Sequence, residues 1–326
     1  MDKIYMIFTG GTISMKVDDK THSVIPALSA KQIMQSLVES KLYDDLEVIE
    51  YSEIPSPSIT PNMMLEISKI IKEHIKNDNP TGFVIVHGTD TLEETAFFLD
   101  TIIDTEIPII VTGSMKSSSE LGYDGINNLV SSILVARSNK SRARGVLVVM
   151  NDQINAASEV TKTNTLSLDT FKSLDYGPVG IVDNHEVIYH RNINYRRNKI
   201  VSVDSINHRV DLIKAYAGSD STLINYLIDI GCKGIVIEAL GRGNLPPTMI
   251  PGIKRAIKKD IPVVICSRCP SGRVLDSYGY LGGGKYLTNI GCILAPSLNG
   301  QKARILLMLA LEKSNDFDYI KSLFTI

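Results

Sequence analysis

The apolar run Phe83-Val84-Ile85-Val86 leads without a polar interruption into His87-Gly88-Thr89-Asp90-Thr91. A short β-branched run that ends this abruptly is typical of a buried parallel strand opening into a loop. Ligands bind at the carboxyl ends of strands in open α/β sheets. The hydroxyls and the carboxylate therefore predict a functional site. Alternatively, Asp90 or Thr91 caps a helix that begins near Leu92.

Strand-like and helix-like segments alternate through the first half of the chain, which predicts a sheet covered on both faces. The predicted strands are 4–8, 46–51, 83–87, 108–112 and 145–150. The predicted helices are 29–40, 61–76, 92–103 and 124–137. Residues 14–28 are polar and irregular, which indicates either a mobile lid or a disordered connector.

A polar, basic stretch at 191–210 is interpreted as a linker to a second, smaller α/β unit. Its predicted strands are near 210–216, 234–238 and 261–266, and its helices near 221–230, 248–258 and 300–313. We therefore expect two doubly wound, three-layer α/β domains. The larger one, 1–190, has a mainly parallel sheet, and the smaller one, 211–326, is flavodoxin-like.

The composition is that of an ordinary globular protein, with 326 residues and a net charge of −2. This balance gives no indication of a nucleic-acid or membrane partner, and no apolar run approaches the ~20 residues of a membrane span. The first predicted strand begins at Ile4, which leaves no room for a signal peptide. We therefore expect a cytoplasmic protein.

Two motifs suggest cofactors or metals but lack their essential partners. Cys266 and Cys269 have redox or half-zinc spacing, yet no second pair completes a zinc set, so we interpret them as ordinary thiols. Gly279-Tyr-Leu-Gly-Gly-Gly-Lys285 resembles a phosphate loop, but Tyr286 stands where Ser or Thr would bind magnesium. We expect neither a metal nor a nucleotide cofactor.

Paired glycines follow the first predicted strand in Thr9-Gly10-Gly11-Thr12-Ile13. They either form a tight turn or let backbone N–H groups, here those of Gly11 and Gly88, stabilise an oxyanion. Thr12 and Thr89 each follow a glycine, and Lys162 lies further on in Val160-Thr-Lys-Thr-Asn164. Threonine becomes a nucleophile when a base takes its proton, and a desolvated lysine can be that base. The residues thus indicate acyl transfer through a threonine ester, unless Lys162 is merely solvated surface.

The chain resembles the bacterial-type L-asparaginases of the asparaginase/glutaminase family. The three motifs around Thr12, Thr89 and Lys162 occur in that family's order, and the resemblance covers essentially the whole chain. Other matching segments are Glu93-Glu-Thr-Ala96, Thr112-Gly-Ser-Met115, Gly145-Val-Leu-Val-Val-Met-Asn-Asp152, Tyr176-Gly-Pro178 and Gln301-Lys-Ala-Arg304. The resemblance implies hydrolysis of the side-chain amide of L-asparagine to aspartate and ammonia. It also implies a homotetramer of two intimate dimers, whose sites lie between the large domain of one subunit and the small domain of its neighbour.

The same resemblance implies roles for individual residues. Thr12 is the nucleophile, Thr89 positions the attacking water or relays a proton, Lys162 is the base, and Asp90 binds the substrate α-ammonium. An ionised Asp90 beside Lys162 favours the charged lysine, whereas burial favours the neutral one. The remaining implied contacts are Ser56 for the α-carboxylate, Ser114 near the scissile amide, and Asn244 and Tyr280 from the neighbouring subunit.

The sequence departs from the family pattern at two positions. The family's mobile loop carries a Tyr beside the nucleophile, whereas this chain has His22-Ser-Val-Ile-Pro26. His22, another Tyr or Lys162 would then have to replace it. Tyr280 stands where the members most active on glutamine place a Glu, and it removes one charge-assisted contact worth ~1.5–3 kcal/mol. Alternatively, the phenol of Tyr280 replaces the missing loop Tyr.

Three other functions remain open from the sequence. One is a glutaminase-asparaginase, because one methylene changes discrimination by only ~1–3 kcal/mol. Another is a tRNA-linked amidotransferase subunit, which we expect to carry an extra N-terminal domain. The third is a catalytically weak amino-acid-binding protein, although a binder has no need of the paired Thr12 and Lys162.

Overall fold

The computed structural model of the chain describes residues 3–17, 21, 24–26, 29–35, 45–193 and 199–325. These form two compact units, residues 1–194 and residues 195–326. The two-domain α/β class predicted from the alternating segments is confirmed, with a mostly parallel sheet in the larger unit and a parallel sheet in the smaller one.

The first unit is built on an eight-stranded sheet in the order β12-β11-β8-β7-β6-β5-β1-β4. Its strands and those of two small hairpins are β1 (Ile4–Phe8), β2 (Met15–Val17), β3 (Val24–Pro26), β4 (Leu46–Glu50), β5 (Gly82–Val86), β6 (Ile109–Thr112), β7 (Val146–Met150), β8 (Gln153–Ala156), β9 (Thr161–Lys162), β10 (Phe171–Lys172), β11 (Gly180–Asp183) and β12 (Glu186–Tyr189). Its helices are α1 (Ala30–Gln35), α2 (Pro61–Asp78), α3 (Leu92–Ile102) and α4 (Gly125–Arg137). Strands β4, β1, β5, β6 and β7 run parallel, and β8, β11 and β12 extend the sheet antiparallel.

The central strands are buried on both faces, as their unbroken apolar sequences require. Ile4 and Met6 of β1 pack with residues of α1 and α4 on one face of the sheet. The register pairs Phe8 at the end of β1 with Val86 at the end of β5. The loops that follow these two strands therefore leave from adjacent points on the same edge, which is what brings the two threonine motifs together.

The segment predicted as an irregular loop at 14–28 contains regular structure. Met15–Val17 and Val24–Pro26 pair as an antiparallel hairpin, with Lys16 opposite Ile25. Much of the remainder, including His22, lies outside the described residues. The helix predicted at 29–40 is described only as α1, because residues 36–40 also lie outside them.

The second unit has four parallel strands in sequential order, β13 (Val210–Lys214), β14 (Gly234–Ala239), β15 (Val263–Ser267) and β16 (Ile293–Leu294). Its helices are α5 (Thr222–Asp229), α6 (Ile250–Lys258), α7 (Gly284–Asn289), α8 (Gly300–Lys313) and α9 (Phe317–Phe324). The order corrects the flavodoxin-like detail of the prediction, because flavodoxin's 2-1-3-4-5 order reverses direction and this one does not.

Both faces of the second sheet are nevertheless covered. Ile235 and Ile237 of β14 belong to the apolar cluster that includes α5 and α6. Helix α8 covers the opposite face, since a Cβ at Gly234 would lie 2.8 Å from the side chain of Leu307. The three-layer arrangement therefore holds, with α8 returning from the sheet edge to supply the second helical layer.

The stretch predicted as a linker, 191–210, is anchored at both ends. Arg191 forms an ion pair with Glu159 in the first unit. Ile200 and Val203 are buried within the second unit, and the backbone of His208 donates to Glu312 at 2.6 Å. Residues 194–198, between these anchored parts, lie outside the described residues. None of the described helices has the length and apolar character needed to cross a membrane.

Candidate active site

The loops after β1 and β5 touch through their glycines. A Cβ at Gly11 would lie 2.4 Å from the Cα of Gly88, and Gly11 has a φ of 90°, which L side chains rarely adopt. A Cβ at Gly88 would lie 2.7 Å from the Oγ of Ser56. Within the described residues, no group accepts a hydrogen bond from the N–H of Gly11 or Gly88. Buried N–H groups without a protein acceptor are suited to bind an oxyanion.

Thr12 opens the short 3₁₀ turn Thr12–Ser14 directly after this glycine contact. The turn is closed by Ser14, whose backbone N–H and Oγ both donate to the carbonyl of Gly11, at 3.1 and 2.8 Å. Ile13 beneath it is fully buried, whereas Thr12 is half-buried. The hydroxyl of Thr12 is thus carried on a short, internally bonded turn at the sheet edge.

Lys162 folds back onto the strand ends from the β9 hairpin. Its Nζ lies 3.0 Å from the Oγ1 of Thr89 and 2.8 Å from the Oδ1 of Asp90. Thr89 and most of the Lys162 side chain are buried, whereas 61% of the Asp90 side chain is exposed. The three residues therefore form one hydrogen-bonded group, with a lysine amine next to a threonine hydroxyl and a carboxylate facing solvent.

The helix-cap interpretation of the same motif is wrong for its side chains. Thr91 occupies the N-cap position of α3 but makes no capping bond. Its hydroxyl instead donates to the carbonyl of Ser56 at 2.7 Å, and the carboxylate of Asp90 bonds to Lys162.

Glu93, in the first turn of α3, binds the β9 strand through its carboxylate. It is buried, and its Oε1 accepts hydrogen bonds from the backbone N–H of Lys162 at 3.2 Å and from the hydroxyl of Thr161 at 3.0 Å. The sequence alone places Glu93 only within a segment that matches the family. Its position between Leu92 and Thr95 on a mostly apolar helix is the signal that would have placed it on the buried face.

His87 lies fully buried beneath the Gly88–Thr89 peptide. Its Nδ1 donates to the carbonyl of Gly88 at 2.7 Å, because a carbonyl can only accept. Its Nε2 then accepts from the hydroxyl of Thr95 at 2.9 Å. Burial lowers the pKa of His87 to about 4, so the ring is neutral near pH 7. This neutral histidine fixes the orientation of the Gly88–Thr89 peptide.

Ser56 and Ser114 differ in their suitability for binding substrate. The Oγ of Ser56 accepts from the backbone N–H of Asp90 at 3.1 Å, which leaves its own proton for another acceptor. Ser114 is fully buried, and its Oγ bonds to the Oδ1 of Asp124 at 2.7 Å and to the carbonyl of Lys116. These bonds hold the Ser114 side chain within its own loop, and the implied contact between Ser114 and the scissile amide stays a prediction.

A cavity of about 360 Å³ opens beside the lysine group. Its lining residues are Asp90, Glu93, Lys162, Thr163, Asn164 and Thr165. The volume suits a small ligand, and the lining is polar and charged instead of the usual apolar majority. The described residues contain no group of three or more His, Cys, Asp or Glu placed to hold a metal ion.

Asn244 and Tyr280 lie in the second unit and are described within it. Asn244 follows β14, and its Oδ1 accepts from the backbone N–H of Gly284 at 3.3 Å. The ring of Tyr280 is exposed and lies 5.6 Å from that of Tyr278. All four cysteines are free, and burial raises the pKa of the Cys266 thiol to about 12.

Comparison with known proteins relates both units to asparaginases. Residues 3–195 match the family described as "Asparaginase, N-terminal", and residues 209–324 match "Glutaminase/Asparaginase C-terminal domain". The chain is 33% identical to "L-asparaginase 2" of Escherichia coli K12 over 99% of this chain and 93% of that protein. It is also 33% identical to "L-asparaginase 2" of Bacillus subtilis 168, over 99% of this chain and 86% of that one.

A solved structure is similar over the whole length. It is the crystal structure described as a probable cytoplasmic L-asparaginase from Campylobacter jejuni, with a TM-score of 0.88, 30% identity and 99% coverage of both chains. Two family matches that together span nearly the whole chain, with relatives at 33% identity, establish the assignment. This chain belongs to the asparaginase family.

Proposed function

We propose that this protein is an L-asparaginase that hydrolyses L-asparagine to L-aspartate and ammonia through a covalent acyl-threonine intermediate. The observation that carries the proposal is the placement of the Lys162 amine 3.0 Å from the Thr89 hydroxyl and 2.8 Å from the Asp90 carboxylate. Thr89 and Asp90 follow β5, and Gly11 and Thr12 follow β1. Because these two strands end side by side, both loops lie at the same edge of the sheet.

In the first half-reaction, the Thr12 hydroxyl attacks the side-chain amide carbon of asparagine. A base takes the threonine proton, and the N–H groups of Gly11 and Gly88 stabilise the negative oxygen of the tetrahedral intermediate. The C–N bond then breaks, the nitrogen leaves with the added proton as ammonia, and a β-aspartyl ester of Thr12 remains.

In the second half-reaction, water replaces the amide nitrogen. Thr89 positions the water, and the Lys162 amine accepts its proton directly or through the Thr89 hydroxyl as hydroxide adds to the ester carbon. Collapse of the second tetrahedral intermediate returns the proton to Thr12 and releases aspartate. Neither half-reaction consumes an oxidant, a reductant or a cofactor.

The charged α-ammonium and α-carboxylate of the substrate each have a complementary group in the proposed site. The exposed carboxylate of Asp90 binds the α-ammonium, and the free proton of Ser56 is donated to the α-carboxylate. Asparagine is the preferred substrate over glutamine, whose additional methylene changes the discrimination by ~1–3 kcal/mol.

We further propose a homotetramer of two intimate dimers, in which Asn244 and Tyr280 reach the site of a neighbouring subunit. The protein is proposed to act in the cytoplasm without a nucleic-acid or membrane partner, and the similar Campylobacter jejuni structure carries the description cytoplasmic. If the site is shared, a fraction shown by sedimentation to be monomeric will be nearly inactive. Full activity in that fraction would contradict the shared site.

The test is ammonia release from L-asparagine and L-glutamine by the wild type, Thr12→Ala and Thr105→Ala. Thr105 is a matched control because it is also a threonine in a loop next to the sheet. It precedes β6, at the amino ends of the parallel strands, whereas Thr12 follows the carboxyl end of β1. The Thr105 hydroxyl accepts from the N–H of Ile107. We expect turnover of asparagine by the wild type and Thr105→Ala, and none by Thr12→Ala. A wild type that binds aspartate in calorimetry but releases no ammonia would instead support an amino-acid-binding protein.

A further inference from the structure

We propose that Tyr123 is a positioning residue that holds the Thr12 turn in place from the loop preceding α4. The inference rests on the proposed function, because it assigns Tyr123 to the alignment of the proposed nucleophile. Neither the charged group around Lys162 nor the glycine contact involves this tyrosine.

The hydroxyl of Tyr123 donates to the carbonyl of Ile13 at 3.1 Å, across 110 residues of sequence. Ile13 is the residue that follows Thr12, and it is fully buried. The bond therefore acts on the Ile13–Ser14 peptide, within the turn that begins at the proposed nucleophile.

The same loop holds the turn at a second point. Ser118 donates to the carbonyl of Met15 through its backbone N–H at 3.0 Å and through its Oγ at 2.9 Å. Met15 is the residue that ends the turn. The carbonyls of Ile13 and Met15 are thus both bound by the loop that contains Ser118 and Tyr123, so this loop holds the turn at two points.

The position of the Tyr123 ring depends on the adjoining helix start. A Cβ at Gly125 would lie 2.2 Å from the Tyr123 hydroxyl oxygen, so the ring crosses α4 only because residue 125 is glycine. Asp124 between them accepts from the backbone N–H groups of Met115 and Lys116, both at 3.0 Å, and from Asn128 at 2.9 Å. These bonds fix the loop from which Tyr123 projects.

The surroundings of Tyr123 also favour the protonated phenol, which is the form that can donate a hydrogen bond. Burial, and secondarily the charge of Asp124, raise the pKa of Tyr123 well above its ordinary value. The phenol therefore stays protonated throughout the pH range in which the enzyme is expected to work. A nucleophile displaced by 1 Å loses about 10²-fold in rate, so a single bond on its supporting turn bears on kcat.

The test compares Tyr123→Phe with Tyr189→Phe. Tyr189 is the matched control because its half-buried ring similarly donates one hydroxyl bond, to Ser141 at 2.7 Å. It lies on the edge strand β12, and β11, β8, β7, β6 and β5 separate that strand from β1. Each substitution removes one hydroxyl and keeps the ring. We expect kcat for asparagine to fall about tenfold in Tyr123→Phe with KM nearly unchanged, and neither to change in Tyr189→Phe.

Hydrogen–deuterium exchange supplies a measurement that does not depend on turnover. The peptide spanning residues 10–17 is expected to exchange faster in Tyr123→Phe than in the wild type or in Tyr189→Phe. Equal kcat in the two variants, or equal exchange, would overturn the inference. A wild type that does not hydrolyse asparagine would overturn the proposed function, while the exchange rates would still decide whether Tyr123 holds the turn. If Tyr123→Phe does not fold, Ser118→Ala removes the Oγ bond from the same loop to Met15 and is expected to speed exchange of residues 10–17, and unchanged exchange would overturn the inference.

Discussion

The carboxylate of Glu93 accepts a hydrogen bond from the backbone N–H of Lys162 at 3.2 Å. The side chain of the same lysine reaches back to Thr89 at 3.0 Å, on the loop that leads into the helix carrying Glu93. Lys162 is therefore held at both ends by one continuous segment of chain. The position of its amine is set by α3 as well as by its own hairpin.

Glu93→Ala is expected to lower kcat/KM for asparagine by about 10²-fold, because it removes the acceptor that aligns the Thr161–Lys162 strand. Glu93→Gln keeps an acceptor oxygen of nearly the same size and is expected to lose much less. Steady-state kinetics on both variants, with thermal unfolding recorded in parallel, separate alignment from stability. Equal losses in the two variants would show that the charge of Glu93, and not its acceptor geometry, is what matters.

Lys162→Met is expected to lower kcat by about 10²- to 10⁴-fold, since it removes the proposed base but keeps the aliphatic stem. Lys172→Met provides the control. Lys172 pairs with Thr161 across the same hairpin and forms its own ion pair with Asp169. We expect Lys172→Met to retain nearly full activity in an ammonia-release assay. Comparable losses in both variants would mean that the hairpin, and not the Lys162 amine, supports the reaction.

Gly88→Ala is expected to destabilise the protein by about 1–3 kcal/mol, because its Cβ would lie 2.7 Å from Ser56 Oγ and 3.1 Å from Gly11 Cα. Gly279→Ala is a suitable control for unfolding, since a Cβ there meets no atom within 4 Å. Chemical denaturation of the two variants measures the difference. A Gly88→Ala variant as stable as Gly279→Ala would contradict the close packing of the two loops.

The neutral, buried His87 is expected to make stability depend on pH. Its pKa is lowered from 6.5 to about 4 on folding, so the unfolded chain binds the additional proton between these values. The contribution is complete above about pH 6.5 and is lost as the pH falls towards 4, to a total of roughly 3 kcal/mol. Urea denaturation of wild type and His87→Asn between pH 4 and 7 tests this. The dependence is expected to be shallower in the variant, and parallel curves would refute it.

The long elements of the fold were predictable because their signals are local. An unbroken apolar run predicts β1 at 4–8 and a helical pattern predicts α3, and both agree with the structure to within a residue. The hairpin of β2 and β3 was missed because three-residue strands carry too little pattern. The strand order of the second unit was also missed, since the sequence of a strand does not specify its neighbours.

The residues of the candidate site likewise fall into those that the sequence predicted and those that only the fold reveals. Thr12, Thr89 and Lys162 stand in short motifs that can be recognised in the sequence alone, so these residues could be predicted. Glu93 and Tyr123 act through bonds to backbone groups 69 and 110 residues away, and nothing local in the sequence marks those partners. The inward orientation of Ser114 likewise depends on Asp124, which only the folded loop brings to it.

Three glycines in the loops around the candidate site pack directly against main chain. A Cβ added at Gly10, Gly11 or Gly113 would in each case meet backbone atoms of a neighbouring strand end, those of Ile54, Gly88 and His87 respectively. Contacts between peptide groups depend on the absence of a Cβ and not on which side chains surround them. Side chains elsewhere in these loops can therefore vary without disturbing the contacts. A larger residue at one of these glycines would instead require the backbone of the facing loop to move.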